Sequence, residues 1–127
     1  MAFVLLDTDI LINLLRGVEK ARLYLQNTAT ENMVGCSVIT VAEIYADMQA
    51  HEKEKTDLLL DGLEIVEVTR AITERAGLYK AAVAGRALEL NDCIIAATAF
   101  EMRATLATGN GNHYPMDDIR KDLVSFT

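Results

Sequence analysis

The sequence is poor in the residues that interrupt folded chains. One proline and seven glycines in 127 residues are too few for a low-complexity or disordered polymer. Cysteine is scarce as well. Cys36 and Cys93 each sit in an apolar stretch, and no CxxC spacing exists, which excludes a secreted disulfide framework. Both are expected to be buried free thiols in a reducing, cytoplasmic setting. Long apolar runs are also missing. The run Ala2 to Leu6 is stopped at once by Asp7, far short of the roughly 20 residues a membrane helix requires. It also has neither the basic start nor the cleavage site of a signal peptide, so no membrane partner is expected.

Positive charge is short too: 12 Lys and Arg stand against 19 Asp and Glu, for a net charge of −7. A protein that bound nucleic acid by phosphate neutralisation alone should be basic. A site of clustered carboxylates fits the balance better, because it stays acidic until cations fill it. Arg16, Lys20, Arg22, Arg70, Arg75, Lys80 and Arg86 could meet phosphates locally, or simply solvate helix faces. Familiar catalytic signatures are absent. The two histidines, His51 and His113, do not form a zinc motif. There is no Walker loop, no GxGxxG and no G-x-S-x-G elbow.

What is present is a core and an alternating pattern. Hydrophobic residues make up 51% of the chain, enough for one domain spanning residues 1–127. The apolar run 2–6 predicts a buried strand. Thr8 to Leu15 has helical spacing, Gly17 ends that helix, and a second helix runs from about Val18 to Asn27. Strands are expected at Met33–Cys36, Leu63–Val68, Thr105–Ala107 and Leu123–Phe126. Helices are expected at Ile39–Gln49, Thr56–Leu63, Arg70–Val83 and Asn91–Arg103, the last apolar on nearly every side. Strands separated by helices define an α/β fold, a three-layer sandwich with a mostly parallel central sheet.

Ligands of open parallel sheets bind at the carboxyl ends of the strands. There the sequence places Asp7-Thr8-Asp9, then Ser37 with a helix carrying Glu43, then Thr108-Gly-Asn110-Gly-Asn112-His113. Each acid also has a local explanation. Asp7 can cap the first helix. Thr40 and Glu43 have capping-box spacing, although a helix starting near Ser37 would leave Glu43 interior, on a face with Ile39 and Ala46. Asn91 or Asp92 can cap the apolar helix. Three carboxylates around one sheet edge nonetheless repel one another, and a hard cation such as Mg²⁺ or Mn²⁺ relieves that.

Val-Leu-Leu-Asp7-Thr-Asp-Ile-Leu-Ile, Ser37-Val-Ile-Thr-Val-Ala-Glu43, Asn91-Asp92-Cys-Ile-Ile-Ala-Ala-Thr98-Ala and Leu106-Ala-Thr108-Gly-Asn110 resemble the successive motifs of the PIN domain, and most of all its VapC-type toxins. The resemblance covers essentially the whole chain. It implies an Mg²⁺- or Mn²⁺-dependent endoribonuclease, with Asp7, Glu43 and Asp92 as the core acids and metal ligands. It also implies RNA as substrate, a cognate antitoxin protein and a homodimer as partners. Many relatives have a fourth acid in the loop after the last core strand. Here Asn110 or His113 would have to help instead, and Thr108 and Asn110 would hold metal waters or the scissile phosphate. Asp9 stands where relatives have a small polar residue, to assist the site or to cap.

Two enzyme classes compete on the same residues. A haloacid-dehalogenase-type phosphatase would use Asp7 as nucleophile and Asp9 as general acid, with Asp117 and Asp118 as late metal acids. A receiver domain would need its phosphoacceptor after a central strand, where the 63–68 strand instead ends in Thr69. A PIN fold that binds partners without cleaving is the third alternative.

Overall fold

The computed structural model describes residues 2–83 and 87–127; Arg86 lies outside the described residues. The chain alternates strands and helices: β1 (Phe3–Leu6), α1 (Thr8–Leu15), α2 (Glu19–Ala29), β2 (Met33–Ser37), α3 (Val38–Asp47), α4 (Lys53–Asp61), β3 (Glu64–Val66), α5 (Arg70–Ala82), α6 (Leu90–Glu101), β4 (Thr105–Thr108) and β5 (Arg120–Leu123). Single 3₁₀ turns stand at Ala50–Glu52 and Gly111–His113. The strands form one sheet in the order β3-β2-β1-β4-β5, and every pair is parallel.

Side-chain alternation along the strands explains the three layers. Leu5 and Leu106 face a core built with Ile72, Ala76, Cys93, Ile95 and Ala99 of α5 and α6. Their neighbours Val4, Leu6 and Ala107 face the opposite side, with Ile10 and Leu11 of α1, Ile44 of α3 and Leu60 of α4. Burying roughly 25 cal/mol per Å² of apolar surface on both faces is what fixes the strand register. The apolar residues of α1 are used in this packing: Ile10 and Leu11 are fully buried, and Ile12, Leu14 and Leu15 pack against the same cluster. Gly17 adopts φ +80° after α1, the left-handed stop its position suggested. Both cysteines are free and buried, and burial pushes the Cys36 thiol up to about 12.

Three expectations shift. The last strand is Arg120–Leu123, not Leu123–Phe126. Its four residues are all exposed, so it has no hydrophobic pattern and is held by backbone pairing to β4. Val124 and Phe126 do pack on the core, but as a trailing segment beyond the strand. The helix expected from Thr56 begins at Lys53, and α3 begins at Val38, capped by Ser37 Oγ accepting from the Ile39 amide at 3.2 Å.

The strand order reverses beside β1, since β2 lies on one side of it and β4 on the other. Crevices in open α/β sheets form at such a reversal, and it lies between Asp7 and Thr108.

Candidate active site

Asp7 follows β1 directly and is 4% exposed. Its Oδ1 accepts the Thr8 amide at 2.8 Å, the capping bond. Its Oδ2 accepts the Thr108 hydroxyl at 2.7 Å from the end of β4. Asp7 therefore caps α1 and joins two adjacent strand ends at once. Thr108 in turn accepts the Asn110 amide at 2.9 Å, which bends the loop after β4 back over Asp7.

Glu43 does not close a capping box. Because α3 starts at Val38, Glu43 lies in the second turn, and its Oε1 accepts the Thr8 hydroxyl at 2.6 Å. Thr40, fully buried, lies 3.0 Å from that hydroxyl. A single threonine thus carries both neighbouring acids: its amide holds Asp7 and its hydroxyl holds Glu43.

Asp92 is not a cap either. The N-cap position of α6 is Glu89, and Asp92 lies in the first turn, where the helix dipole favours its negative charge. Its carboxylate meets the Tyr114 hydroxyl at 3.4 Å through Oδ1 and His113 Nδ1 at 3.4 Å through Oδ2. Burial, then repulsion from Asp7, raises its pKa to about 6, against the pull of His113 and Tyr114. Tyr114 carries no acidic signal and sits in a Gly/Asn-rich loop, so the sequence did not single it out. In the fold it is fully buried, and burial and the charges of Asp7 and Asp92 push its pKa far upward, which leaves it a permanent donor.

Asp9 reaches furthest. Its Oδ2 accepts the Gly109 amide at 2.9 Å and the Asn110 carboxamide at 3.0 Å. A Cβ at Gly109 would stand 2.7 Å from Asp9 Oδ2 and 2.5 Å from Phe126 Cε2, so the close approach requires glycine. Asn110, expected to face a phosphate or a metal water, donates its carboxamide N–H to Asp9. Among the described residues, Asp9 Oδ1 is buried without a hydrogen-bond partner. Burial and the Asp7 charge raise its pKa to about 6.

The four acids sense one another: Asp7 perturbs Asp9 and Asp92, and Glu43 perturbs Asp92. As arranged, no three His, Cys, Asp or Glu side chains among the described residues stand close enough to hold a metal ion. The chemistry of the group fits a hard cation all the same. Its donors are carboxylate oxygens, and two of the acids, Asp9 and Asp92, hold protons more tightly than free carboxyls do.

Among the described residues, six of the basic residues named from the sequence have intrachain partners. Arg16 pairs with Asp47 and Arg70 with Glu74. Arg22 pairs with Glu19, and Lys20 donates to the Thr127 carbonyl. Arg75 pairs with Glu101 and lies 3.5 Å over the Phe100 ring. Lys80 donates to the Leu88 carbonyl. These are helix-face arrangements rather than a phosphate track. Among the described residues, no helix is long and apolar enough to cross a membrane.

The parallel sheet is wound on both faces, with acids after β1 and on α3 and α6 near its reversal, and the PIN domain family model matches residues 4–119. The chain belongs to that family. It is 34% identical over 115 residues to Ribonuclease VapC10 of Mycobacterium tuberculosis, covering 89% of this chain and 86% of the relative. A toxin–antitoxin complex from Klebsiella pneumoniae contains a chain 27% identical, with a TM-score of 0.78 and 98% of each chain covered. A VapBC2 complex from Rickettsia felis bound to a DNA fragment matches in fold, with a TM-score of 0.85 at 21% identity over 97% of this chain and 99% of that one. Family membership displaces the phosphatase and receiver readings.

Proposed function

We propose that this chain, working as one unit over residues 1–127, is a metal-dependent endoribonuclease that hydrolyses RNA phosphodiester bonds as the toxin of a toxin–antitoxin pair. The observation that carries the reading is the family match over most of the chain, supported by Asp7, Glu43 and Asp92 lying within electrostatic reach of one another from three separate elements. The relative named as a ribonuclease supports the activity, and the relative solved as a toxin–antitoxin complex supports the pairing. A cognate antitoxin and a second copy of the chain are its protein partners, and the cytoplasm is its compartment.

Asp7, Asp92 and Glu43 would hold Mg²⁺ or Mn²⁺, which prefer such oxygen donors. When bound, such an ion would supply Lewis acidity toward the scissile phosphodiester and a water. The side chains do the rest. The Thr8 amide and Thr108 hydroxyl fix both oxygens of Asp7. The Thr8 hydroxyl fixes Glu43 Oε1, leaving Oε2 to orient the attacking water and take its proton. Asn110, locked to Asp9, shapes the loop that the phosphate passes. His113, exposed beside Asp92, faces the RNA strand.

The test is cleavage of mixed RNA by the purified protein with Mg²⁺ or Mn²⁺ against EDTA, alongside Asp92→Asn. Cation-dependent cuts that vanish in the variant are expected. No cleavage of any RNA, or equal cleavage by the variant, returns weight to a PIN fold that only binds.

A further inference from the structure

Asp7 and Asp92 are held very differently. Asp7 has two short bonds, from a backbone amide and a buried hydroxyl. Among the described residues, Asp92 has only two longer contacts, both 3.4 Å, from Tyr114 and from His113. His113 is more than half exposed at 55% and can swing into solvent. Tyr114 is fully buried and cannot. Its ring packs in the cluster with Leu106, Ala96, Met116 and Ile119. Its backbone carbonyl accepts Lys121 Nζ at 2.8 Å, and the same ammonium binds the Met116 carbonyl at 2.9 Å, so β5 pins the loop that carries it. The tyrosine hydroxyl is therefore a fixed donor set between the two acids, within reach of Asp7 and 3.4 Å from the loosely held Asp92.

We propose that Tyr114 is a positioning residue: its buried hydroxyl orients the Asp92 carboxylate toward Asp7 and so sets how tightly the site holds its cation. The inference rests on the reading of Asp7 and Asp92 as cation ligands. An aspartate without such a donor samples more than one rotamer, and its share in binding falls with the population of the productive one. The ring itself belongs to the core, so phenylalanine keeps the packing and removes only the donor.

Calorimetric titration of the RNA-free protein with Mn²⁺ compares wild type, Tyr114→Phe and Lys121→Met. Tyr114→Phe should melt close to wild type, bind Mn²⁺ about 10-fold more weakly and regain cleavage when Mn²⁺ is raised to saturation. Its KM for RNA should be unchanged. Lys121→Met, which frees the loop but keeps the hydroxyl, should shift Mn²⁺ affinity in the same direction by less. Should Tyr114→Phe melt well below wild type, the Lys121→Met titration decides the question. Unchanged Mn²⁺ affinity in both variants, or a cleavage defect that saturating Mn²⁺ does not repair, overturns the positioning role. A wild type that binds Mn²⁺ but cuts no RNA overturns the ribonuclease reading instead and leaves the Mn²⁺ comparison intact.

Discussion

Replacing Asp92 by Asn should destroy cleavage and stabilise the metal-free protein. In the folded chain the Asp92 carboxyl has a pKa of about 6 against 3.8 for the free group. Two units at 1.36 kcal/mol each set a ceiling of about 3 kcal/mol for the penalty of charging it. The side chain is 18% exposed, so water screens part of this, and about 1–2 kcal/mol is the expected gain on neutralising it at pH 7.5. For a chain of this length that is about 4–7 °C in Tm. The sign follows from proton counting. Between the two pKa values the folded protein binds more protons than the unfolded one, so the Asp92 contribution to stability falls as pH rises through 6. The gain from Asn is thus full above pH 6 and drops by about half at pH 5. Thermal unfolding of both proteins in EDTA at pH 7.5 and pH 5 reads the difference, with the titrations of groups remote from Asp92 cancelling. A variant less stable than wild type at pH 7.5, or a gain that does not change with pH, would refute the reasoning.

Two further substitutions probe the frame around the acids. Thr108→Val removes the donor to Asp7 Oδ2 and the acceptor of the Asn110 amide; urea unfolding should show a loss of about 1–3 kcal/mol, with cleavage reduced. Gly35→Ala puts a Cβ 2.2 Å from the Glu64 carbonyl oxygen, where β2 pairs β3. Because the obstacle is backbone, the strand must move, and calorimetric melting should register a cost of about 1–3 kcal/mol.

The parts of the site that were legible in the sequence are those whose chemistry breaks the surrounding pattern. Asp7 ends an apolar strand, Glu43 interrupts an apolar helix face, and Asp92 opens the most apolar helix, so each stands out against burial. Their capping explanations were separable only in three dimensions: Asp7 does cap, whereas Ser37 and Glu89 occupy the positions that Thr40 and Asp92 might have filled. The links among them were not legible. The bonds from Gly109 and Asn110 to Asp9 cross about a hundred residues of sequence, and no local spacing reports them. Tyr114 passed unnoticed because a tyrosine among glycines and asparagines reads as a loop. Strand β5 was misplaced for the converse reason: Arg-Lys-Asp-Leu has no apolar face, while the Val124 and Phe126 that follow do pack.

The bond between Asp7 and Thr108 spans 101 positions of the chain, with the sheet reversal between them. Nothing made early in synthesis can act alone. The first acid emerges from the ribosome near the start, but its second oxygen has no donor until β4 has been made and has paired with β1. A chain cut short before Thr108 would hold the named acids and still lack the frame that aims them. On the proposed reading, competence would arrive in one late step, which for a protein able to cut RNA separates the time of its making from the time of its first cut.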